Sequence, residues 1–155
     1  MLKKPLPRSE ELLERVKIAL TPDRLPLLIA IDGADGCGKS SLASWLAWQL
    51  GMPAIQLDLY LTCLEPVAWI TKELGRVIAK RIDRNRPVIV DGVLILDALQ
   101  QVHRNPDFLV YMAGEGSDML RAQIQDYRKR RRLPSRADFE IEGYSPEGFQ
   151  ARPGG

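Results

Sequence analysis

The stretch LPLLIAIDGADGCGKSSLASWLAWQL, residues 25–50, decides the fold. It opens with an aliphatic run over 25–32 that does not alternate with polar residues, which is typical of a strand covered on both faces of a parallel sheet. A glycine-rich turn over 33–38 follows. The segment 39–50 then places Leu42, Leu46 and Leu50 at helical spacing, and Gly51 is a suitable residue to end the helix. The stretch therefore predicts a strand, a tight turn and a helix in immediate succession.

The turn with its two following residues, GADGCGKS (33–40), matches the pattern G-x-x-x-x-G-K-[ST] between a strand and a helix. Its glycines let successive backbone N–H groups point inward at a phosphate, and the positive end of the following helix strengthens that field. The lysine is placed to reach the β- and γ-phosphates, and the serine hydroxyl to ligate Mg²⁺. We therefore predict a site for ATP and Mg²⁺ with Lys39 as a catalytic residue, Ser40 as a metal ligand, and nucleotide contacts from Gly33, Ala34, Asp35, Gly36, Cys37, Gly38, Lys39, Ser40 and Ser41.

The rest of the chain repeats the alternation of strand and helix. Further strands are predicted at 54–59, 88–92, 107–112 and, at an edge, 138–144; helices are predicted at 9–20, 65–82 and 118–132. Strands that alternate with helices of a dozen residues imply crossover connections and a doubly wound sheet. We predict one domain over 1–155 with a five-stranded parallel sheet between two helical layers, and mobile ends at 1–8 and 145–155.

The composition excludes several classes of protein. Lys and Arg number 22 and Asp and Glu 20 in 155 residues, so a net charge of +2 gives no general attraction to nucleic acid or anionic membranes. No apolar run reaches the length of a membrane span, and the N-terminal residues lack the apolar stretch of a secretory signal. Two cysteines and one histidine provide neither a disulfide framework nor a zinc site. A cytoplasmic protein is expected, and a homo-oligomer is compatible with the sequence.

Other classes of nucleotide-binding protein lack their signatures here. The guanine-recognition motif N-K-x-D of GTPases is absent, because the two asparagines of the chain, Asn85 and Asn105, are followed by Arg86 and Pro106. A transporter-type L-S-G-G-Q signature is absent too, and the chain is too short for two helicase lobes. A small phosphotransferase or a minimal ATPase remains.

Three segments resemble the P-loop small-molecule kinases, especially uridine kinase and its nucleoside-kinase relatives: IAIDGADGCGKSSLA (29–43), LGMPAIQLDLYL (50–61) and RPVIVDGVLIL (86–96). In that family the second strand ends in an Asp followed by an aromatic residue, where Asp58 and Tyr60 stand. The third ends in an acid followed by glycine, where Asp91 and Gly92 stand. The resemblance covers about residues 25–142 and implies a P-loop NTPase fold of the kinase type. It also implies a phosphate-covering lid in the region 118–136, although relatives are usually longer after the lid.

The phosphate loop is also similar to that of thymidylate kinase, a nucleoside monophosphate kinase. The Asp-Arg-aromatic motif of that family is missing, because Asp91 is followed by Gly92 and Val93. A monophosphate acceptor is therefore the alternative within the kinases.

Two carboxylates at strand ends are candidates for chemistry, because ligands of doubly wound sheets bind at the carboxyl edge. Asp58 would hold the acceptor hydroxyl or accept its proton, and Asp91 would hold magnesium directly or through water. The alternative for both is a turn-forming role.

The run Arg128-Lys129-Arg130-Arg131-Arg132 has three interpretations. In a lid, Arg128 and Arg131 would stabilise transition-state charge and Arg132 would contact the nucleotide. The run could instead bind nucleic acid through backbone phosphates, which we consider the least favoured, or form a solvated helix face.

Together these observations predict an ATP-dependent phosphotransferase that moves the γ-phosphate of Mg·ATP to a hydroxyl of a small molecule, with a nucleoside as the first candidate. The alternatives are an ATP-binding regulatory module and a nucleic-acid-associated ATPase, both without a small-molecule acceptor.

Overall fold

The computed structural model describes residues 6–22 and 25–144. A five-stranded sheet in the order β2-β5-β1-β6-β7 forms its centre, with every neighbouring pair parallel. A separate antiparallel hairpin pairs β3 with β4. The strands are β1 (Leu28–Gly33), β2 (Ala54–Gln56), β3 (Leu61–Leu64), β4 (Val67–Trp69), β5 (Val88–Gly92), β6 (Phe108–Ala113) and β7 (Phe139–Glu142).

Within residues 6–22 and 25–144, five α-helices flank the sheet and complete a three-layer α/β fold: α1 (Ser9–Leu20), α2 (Lys39–Leu50), α3 (Thr71–Ile82), α4 (Ile95–Gln101) and α5 (Arg121–Arg131). The central strands β1 and β5 are buried along their whole length, as expected for aliphatic strands covered on both faces. The doubly wound parallel sheet predicted from the sequence is confirmed, including its edge strand, where Val110 of β6 aligns with Phe139 of β7.

Two local predictions between residues 54 and 82 are wrong. The strand predicted over 54–59 ends at Gln56 and gives way to a 3₁₀ turn, Leu57–Tyr60. The helix predicted over 65–82 begins only at Thr71, because 61–69 forms the β3–β4 hairpin. Pro66 lies in the turn of that hairpin, and β4 then buries Trp69. Apolar residues in this region fit a helical spacing by coincidence, whereas the β-branched and aromatic residues Thr62, Val67 and Trp69 favour the strand pairing that the hairpin adopts.

Helix α4 was not predicted. It has seven residues, and it buries Ile95, Leu96, Ala98 and Leu99 immediately after the strand β5. Periodicity does not distinguish a short apolar helix from the continuation of a buried strand. Helix α5 was predicted over 118–132 and begins three residues later, at Arg121.

Mobile ends were predicted at 1–8 and 145–155. Residues 1–5 and 145–155 lie outside the described residues. In the described ranges, every helix is too short or too polar to cross a membrane.

Candidate active site

The phosphate loop lies where the sequence places it, between the end of β1 at Gly33 and the start of α2 at Lys39. The backbone adopts positive φ at Gly36 (78°) and Gly38 (95°), a region that side chains disfavour. No atom lies within 4 Å of where a Cβ on Gly36 would stand, so this part of the loop is open. The helix α2 starts directly at the loop and directs its positive end into it.

Three polar side chains meet at the base of the loop. The Lys39 ammonium is buried and donates a hydrogen bond to the carbonyl oxygen of Ala34 at 2.6 Å. The Ser40 hydroxyl donates to Oδ1 of Asp91 at 3.0 Å, which joins the first turn of α2 to the carboxyl end of β5. The parallel register that aligns Asp91 with Ile31 of β1 brings the carboxylate to this edge. Ser41, the next residue, is exposed.

The second oxygen of Asp91 suits a metal site. Oδ2 is buried and has no hydrogen-bond partner among the described residues. Burial raises the pKa of Asp91 to about 6, although the Ser40 hydroxyl and the charge of Lys39 oppose that rise. Mg²⁺ prefers hard oxygen ligands, and the unpartnered Oδ2 of Asp91 and the neighbouring Ser40 hydroxyl are both oxygen donors. These two residues therefore fit the ion.

Asp58 lies on the 3₁₀ turn after β2 and is exposed. Its negative charge is one of the causes that raise the pKa of Asp91, so the two carboxylates are within electrostatic reach of each other. The close approach of the turn to β5 depends on Gly92, because a Cβ there would stand 2.6 Å from Cβ of Leu57. The glycine after Asp91 thus lets the turn that carries Asp58 pack against β5.

Two later segments of the chain hold the phosphate loop. After β6, Ser117 donates from its backbone N–H to the carbonyl oxygen of Asp35 at 3.1 Å and from its hydroxyl to Oδ2 of the same residue at 2.9 Å. After β7, the backbone N–H of Tyr144 donates to the carbonyl oxygen of Cys37 at 3.0 Å. Asp35 and Cys37 therefore serve the loop by fixing its backbone.

The ring of Tyr144 lies directly over Gly38. A Cβ at Gly38 would stand 2.6 Å from Cδ2 of the ring, so the glycine is required by this contact as well as by its positive φ. The tyrosine side chain remains 46% exposed and presents an aromatic surface beside the loop.

A buried hydrogen-bonded pair ties α5 to the strand that leads into the loop. The Tyr127 hydroxyl donates to Oδ2 of Asp32 at 2.5 Å and accepts from the backbone N–H of Leu96 at 3.0 Å. The other carboxylate oxygen of Asp32 accepts from the N–H of Gly33 at 2.8 Å. Burial raises the pKa of Asp32 to about 7, against the lowering effect of the hydrogen bonds from Tyr127 and Gly33 and the charge of Lys39.

The predicted lid arginines diverge. Arg128 lies near the loop, because it lines a cavity of about 200 Å³ together with Ala34 and Gly114, and its guanidinium lies 5.6 Å from the ring centre of Tyr111. Arg132 follows the end of α5 and is exposed.

Arg131 points to α4 instead. Its Nε donates to Oδ1 of Asp97 at 2.8 Å, and its guanidinium also donates to Gln100. Arg130 pairs with the other oxygen of Asp97 at 2.9 Å. These hydrogen bonds lower the pKa of Asp97 even though burial alone would raise it.

The structure thus brings Lys39, Ser40, Asp58 and Asp91 to one edge of the sheet, as the sequence predicts. Sequence reasoning missed the Asp32–Tyr127 pair and the aromatic surface of Tyr144. One signal was present in the sequence: Ile124 and Tyr127 are three positions apart in a very basic segment, a spacing that places both on one face of a helix. A buried strand that ends in an acid also requires a donor nearby.

Comparisons with known proteins identify the fold. No protein-family model matches the sequence, and a search of curated proteins finds no match. Among solved structures, one described as a possible uridine kinase from Bacillus stearothermophilus superposes with a TM-score of 0.62 at 15% identity, covering 87% of this chain and 97% of the other.

Two further solved structures are similar over less of the chain. Shikimate kinase from Bacteroides thetaiotaomicron has a TM-score of 0.43 at 19% identity and covers 76% of this chain and 86% of its own. Thymidylate kinase from Candida albicans has a TM-score of 0.46 at 16% identity, with coverages of 77% and 85%. The superposition on the Bacillus structure establishes the three-layer α/β P-loop fold that the sequence predicts.

Proposed function

We propose that the protein is a phosphotransferase that moves the γ-phosphate of Mg·ATP to a hydroxyl group of a small molecule, with a nucleoside as the first candidate acceptor. The observation that carries the proposal is the Ser40–Asp91 hydrogen bond beside Lys39, with an unpartnered oxygen of Asp91 and with Asp58 within electrostatic reach. These groups supply a donor site, a metal site and an acceptor site at one edge of the sheet.

The donor half of the reaction uses the phosphate loop. The N–H groups around Gly36 and Gly38 bind phosphate oxygens, and the Lys39 ammonium exchanges its bond to the Ala34 carbonyl for the β- and γ-phosphates. Ser40 and Asp91 would hold Mg²⁺, which neutralises phosphate charge when bound. The aromatic surface of Tyr144 is the stacking platform for the nucleobase of the donor.

The acceptor half uses Asp58. Its exposed carboxylate accepts the proton of the acceptor hydroxyl as the new oxygen–phosphorus bond forms and the bond from the γ-phosphorus to the β,γ-bridging oxygen breaks, which releases ADP. The β3–β4 hairpin begins immediately after the turn that carries Asp58, so we assign acceptor binding to this side. The half-buried Tyr60 and the segment's resemblance to uridine kinase support a nucleoside.

Arg128 is the arginine that we assign to the transferring phosphate. It shares a cavity with Ala34 of the loop, and its stacking on Tyr111 fixes the guanidinium near that position. An arginine directed at developing phosphate charge contributes to catalysis by electrostatic stabilisation. Arg131 is assigned a structural role, because its guanidinium is held by Asp97.

The test measures ADP release from Mg·ATP in the presence of nucleosides, nucleoside monophosphates, sugars and other alcohols. We expect one class of acceptor to stimulate release by at least tenfold, and Lys39→Ala and Asp58→Asn to abolish the stimulation. Asp83→Asn is the matched control for Asp58→Asn. Asp83 is also an exposed carboxylate, but it lies in the turn that follows α3, near the amino ends of the strands and away from the phosphate loop.

Two results would overturn the proposal. Slow ADP release that no acceptor stimulates would favour an ATP-binding regulatory module. Acceptor stimulation that persists in Asp58→Asn would refute the role of Asp58, and stimulation by DNA or RNA alone would favour the nucleic-acid-associated ATPase.

A further inference from the structure

A second cavity, of about 310 Å³, lies at the end of the parallel strands opposite to the phosphate loop. Pro53, which immediately precedes β2, and Val88, the first residue of β5, both line it. Because the strands run parallel and the phosphate loop follows the carboxyl end of β1, this cavity lies at their amino ends. It shares no lining residue with the candidate active site.

The floor of this cavity is apolar. Ile55 of β2 and Val88 of β5 are buried, and Val77 of α3 is half-buried beside them. Pro53 is exposed, and with Val77 it supplies the apolar area that a ligand would cover, because Ile55 and Val88 are already shielded from water. An aliphatic surface of this kind favours the alkyl or aryl part of a ligand, since transfer of apolar area out of water is favourable by about 25 cal/mol per Å².

The rim of the cavity is cationic. Lys80 and Arg81 come from the last turn of α3, and Arg84 and Arg86 come from the turn that follows. Cations in the last turn of a helix stabilise its negative end, which accounts for Lys80 and Arg81. Arg84 and Arg86 follow the end of the helix and add two further exposed cations to the rim.

Three of the four rim cations lack counter-charges within residues 6–22 and 25–144, while the guanidinium of Arg81 donates to the carbonyl oxygen of Pro87 at 2.9 Å. Within the described ranges, Lys80, Arg84 and Arg86 form no ion pair and no side-chain hydrogen bond. The one carboxylate in the segment 80–86, Asp83, lies 3.8 Å from the guanidinium of Arg104 instead. Lys80, Arg84 and Arg86 therefore form a local concentration of positive charge beside an apolar floor, in a protein whose overall charge is only +2. An anion would neutralise that charge.

We propose that this cavity binds a small organic anion, with its apolar body on the floor and its anionic group between the arginines of the rim. The volume of about 310 Å³ is at the lower end of the range of small-molecule sites, roughly 300–1,000 Å³. A bare inorganic anion would leave the floor hydrated, and a neutral alcohol would leave the rim unneutralised. The proposal is independent of the phosphotransferase activity.

The test uses octyl phosphate, kept below its micelle concentration, and follows ¹H–¹⁵N spectra of the uniformly labelled full chain. The amides of Ile55, Val77 and Val88 report on the cavity, and those of Gly36 and Gly38 report separately on the phosphate loop. Inorganic phosphate and 1-octanol are the control ligands, because the first carries only the anionic half of octyl phosphate and the second only its apolar half. We expect octyl phosphate to shift the cavity amides at concentrations at least tenfold lower than either half.

A pair of double variants then tests the rim. Arg84→Gln with Arg86→Gln removes two exposed cations of the cavity and is expected to weaken octyl phosphate binding at least tenfold. Lys72→Gln with Arg76→Gln is the matched control, because it removes the same charge from exposed positions of α3 that do not line the cavity. The control is expected to bind as the unmodified protein does.

Four outcomes would overturn the proposal. The first is that octyl phosphate leaves the cavity amides unshifted at millimolar concentration, and the second and third are that inorganic phosphate or octanol shifts them as effectively. Equal binding by the two double variants would also contradict it, since the arginines of the rim would then take no part.

Discussion

Removing a single hydroxyl group, by Tyr127→Phe, tests how strongly α5 is attached to the strand that leads into the phosphate loop. The hydroxyl has two buried partners: it donates to Asp32 and accepts from the N–H of Leu96. Phenylalanine keeps the ring but leaves both partners unsatisfied. An unsatisfied buried group costs about 1–3 kcal/mol, with the upper values for charged groups, so the free energy of unfolding should fall by about 3–5 kcal/mol when Asp32 is ionised.

The effect depends on pH. Because burial raises the pKa of Asp32 to about 7, from about 4 in an unfolded chain, the folded state binds this proton more tightly. The contribution of Asp32 is therefore most favourable below about pH 4 and is lost as pH rises to about 7. The hydrogen bond from Tyr127 lowers this pKa, so Tyr127→Phe should raise it further and lose more stability at pH 8.5 than at pH 5.5, by about 1–2 kcal/mol.

Urea unfolding followed by tryptophan fluorescence at the two pH values measures both quantities, since the chain has three tryptophans. Tyr111→Phe is the matched control: Tyr111 is also buried, but its hydroxyl has no partner among the described residues, so its removal should cost less than 1 kcal/mol. Equal losses in the two variants, or a loss in Tyr127→Phe that does not change with pH, would refute the role assigned to the pair.

Two further pairs of substitutions test the site itself. Gly38→Ala places a Cβ 2.6 Å from the Tyr144 ring at φ 95°, so we expect at least tenfold weaker ATP binding by calorimetry. Gly51→Ala is its control, because it carries only the backbone strain of about 1–2 kcal/mol, at φ 61° with no atom within 4 Å, and lies at the other end of α2; equal affinity in the two variants would contradict the requirement for glycine at position 38. Arg128→Gln should lower kcat about 100-fold with unchanged stability, while Arg131→Gln should lower the unfolding temperature by a few degrees with kcat nearly intact. The opposite pattern in steady-state assays and thermal melts would reverse the roles of the two arginines.

The parts of the fold that the sequence predicts are those with local causes. The phosphate loop has a defined spacing of glycines, Lys39 and Ser40, and the aliphatic run of β1 shows burial on both faces. Asp91 also has a local signal, since it is the next-to-last residue of the aliphatic strand β5. Asp58 was placed at the correct edge although its strand ends two residues earlier, because the chain still turns at that edge.

The parts that the sequence does not predict depend on contacts between distant residues. The direction of each arginine on α5 is set by what faces it: Asp97 for Arg131, and the ring of Tyr111 for Arg128. Neither partner can be identified from the run of basic residues itself. The position of Tyr144 over Gly38 likewise follows from the docking of β7 beside β6.

The attachment of the phosphate loop by later segments has a consequence for biosynthesis. The loop is made early, but Ser117, which bonds to Asp35, follows it 82 residues later, and Tyr144 follows later still. A chain emerging from the ribosome therefore exposes its glycine-rich turn well before the contacts that give it a fixed shape. If the loop binds ATP as proposed, its affinity should develop only when β7 has docked, and the nucleotide would then stabilise the folded domain in preference to its nascent forms.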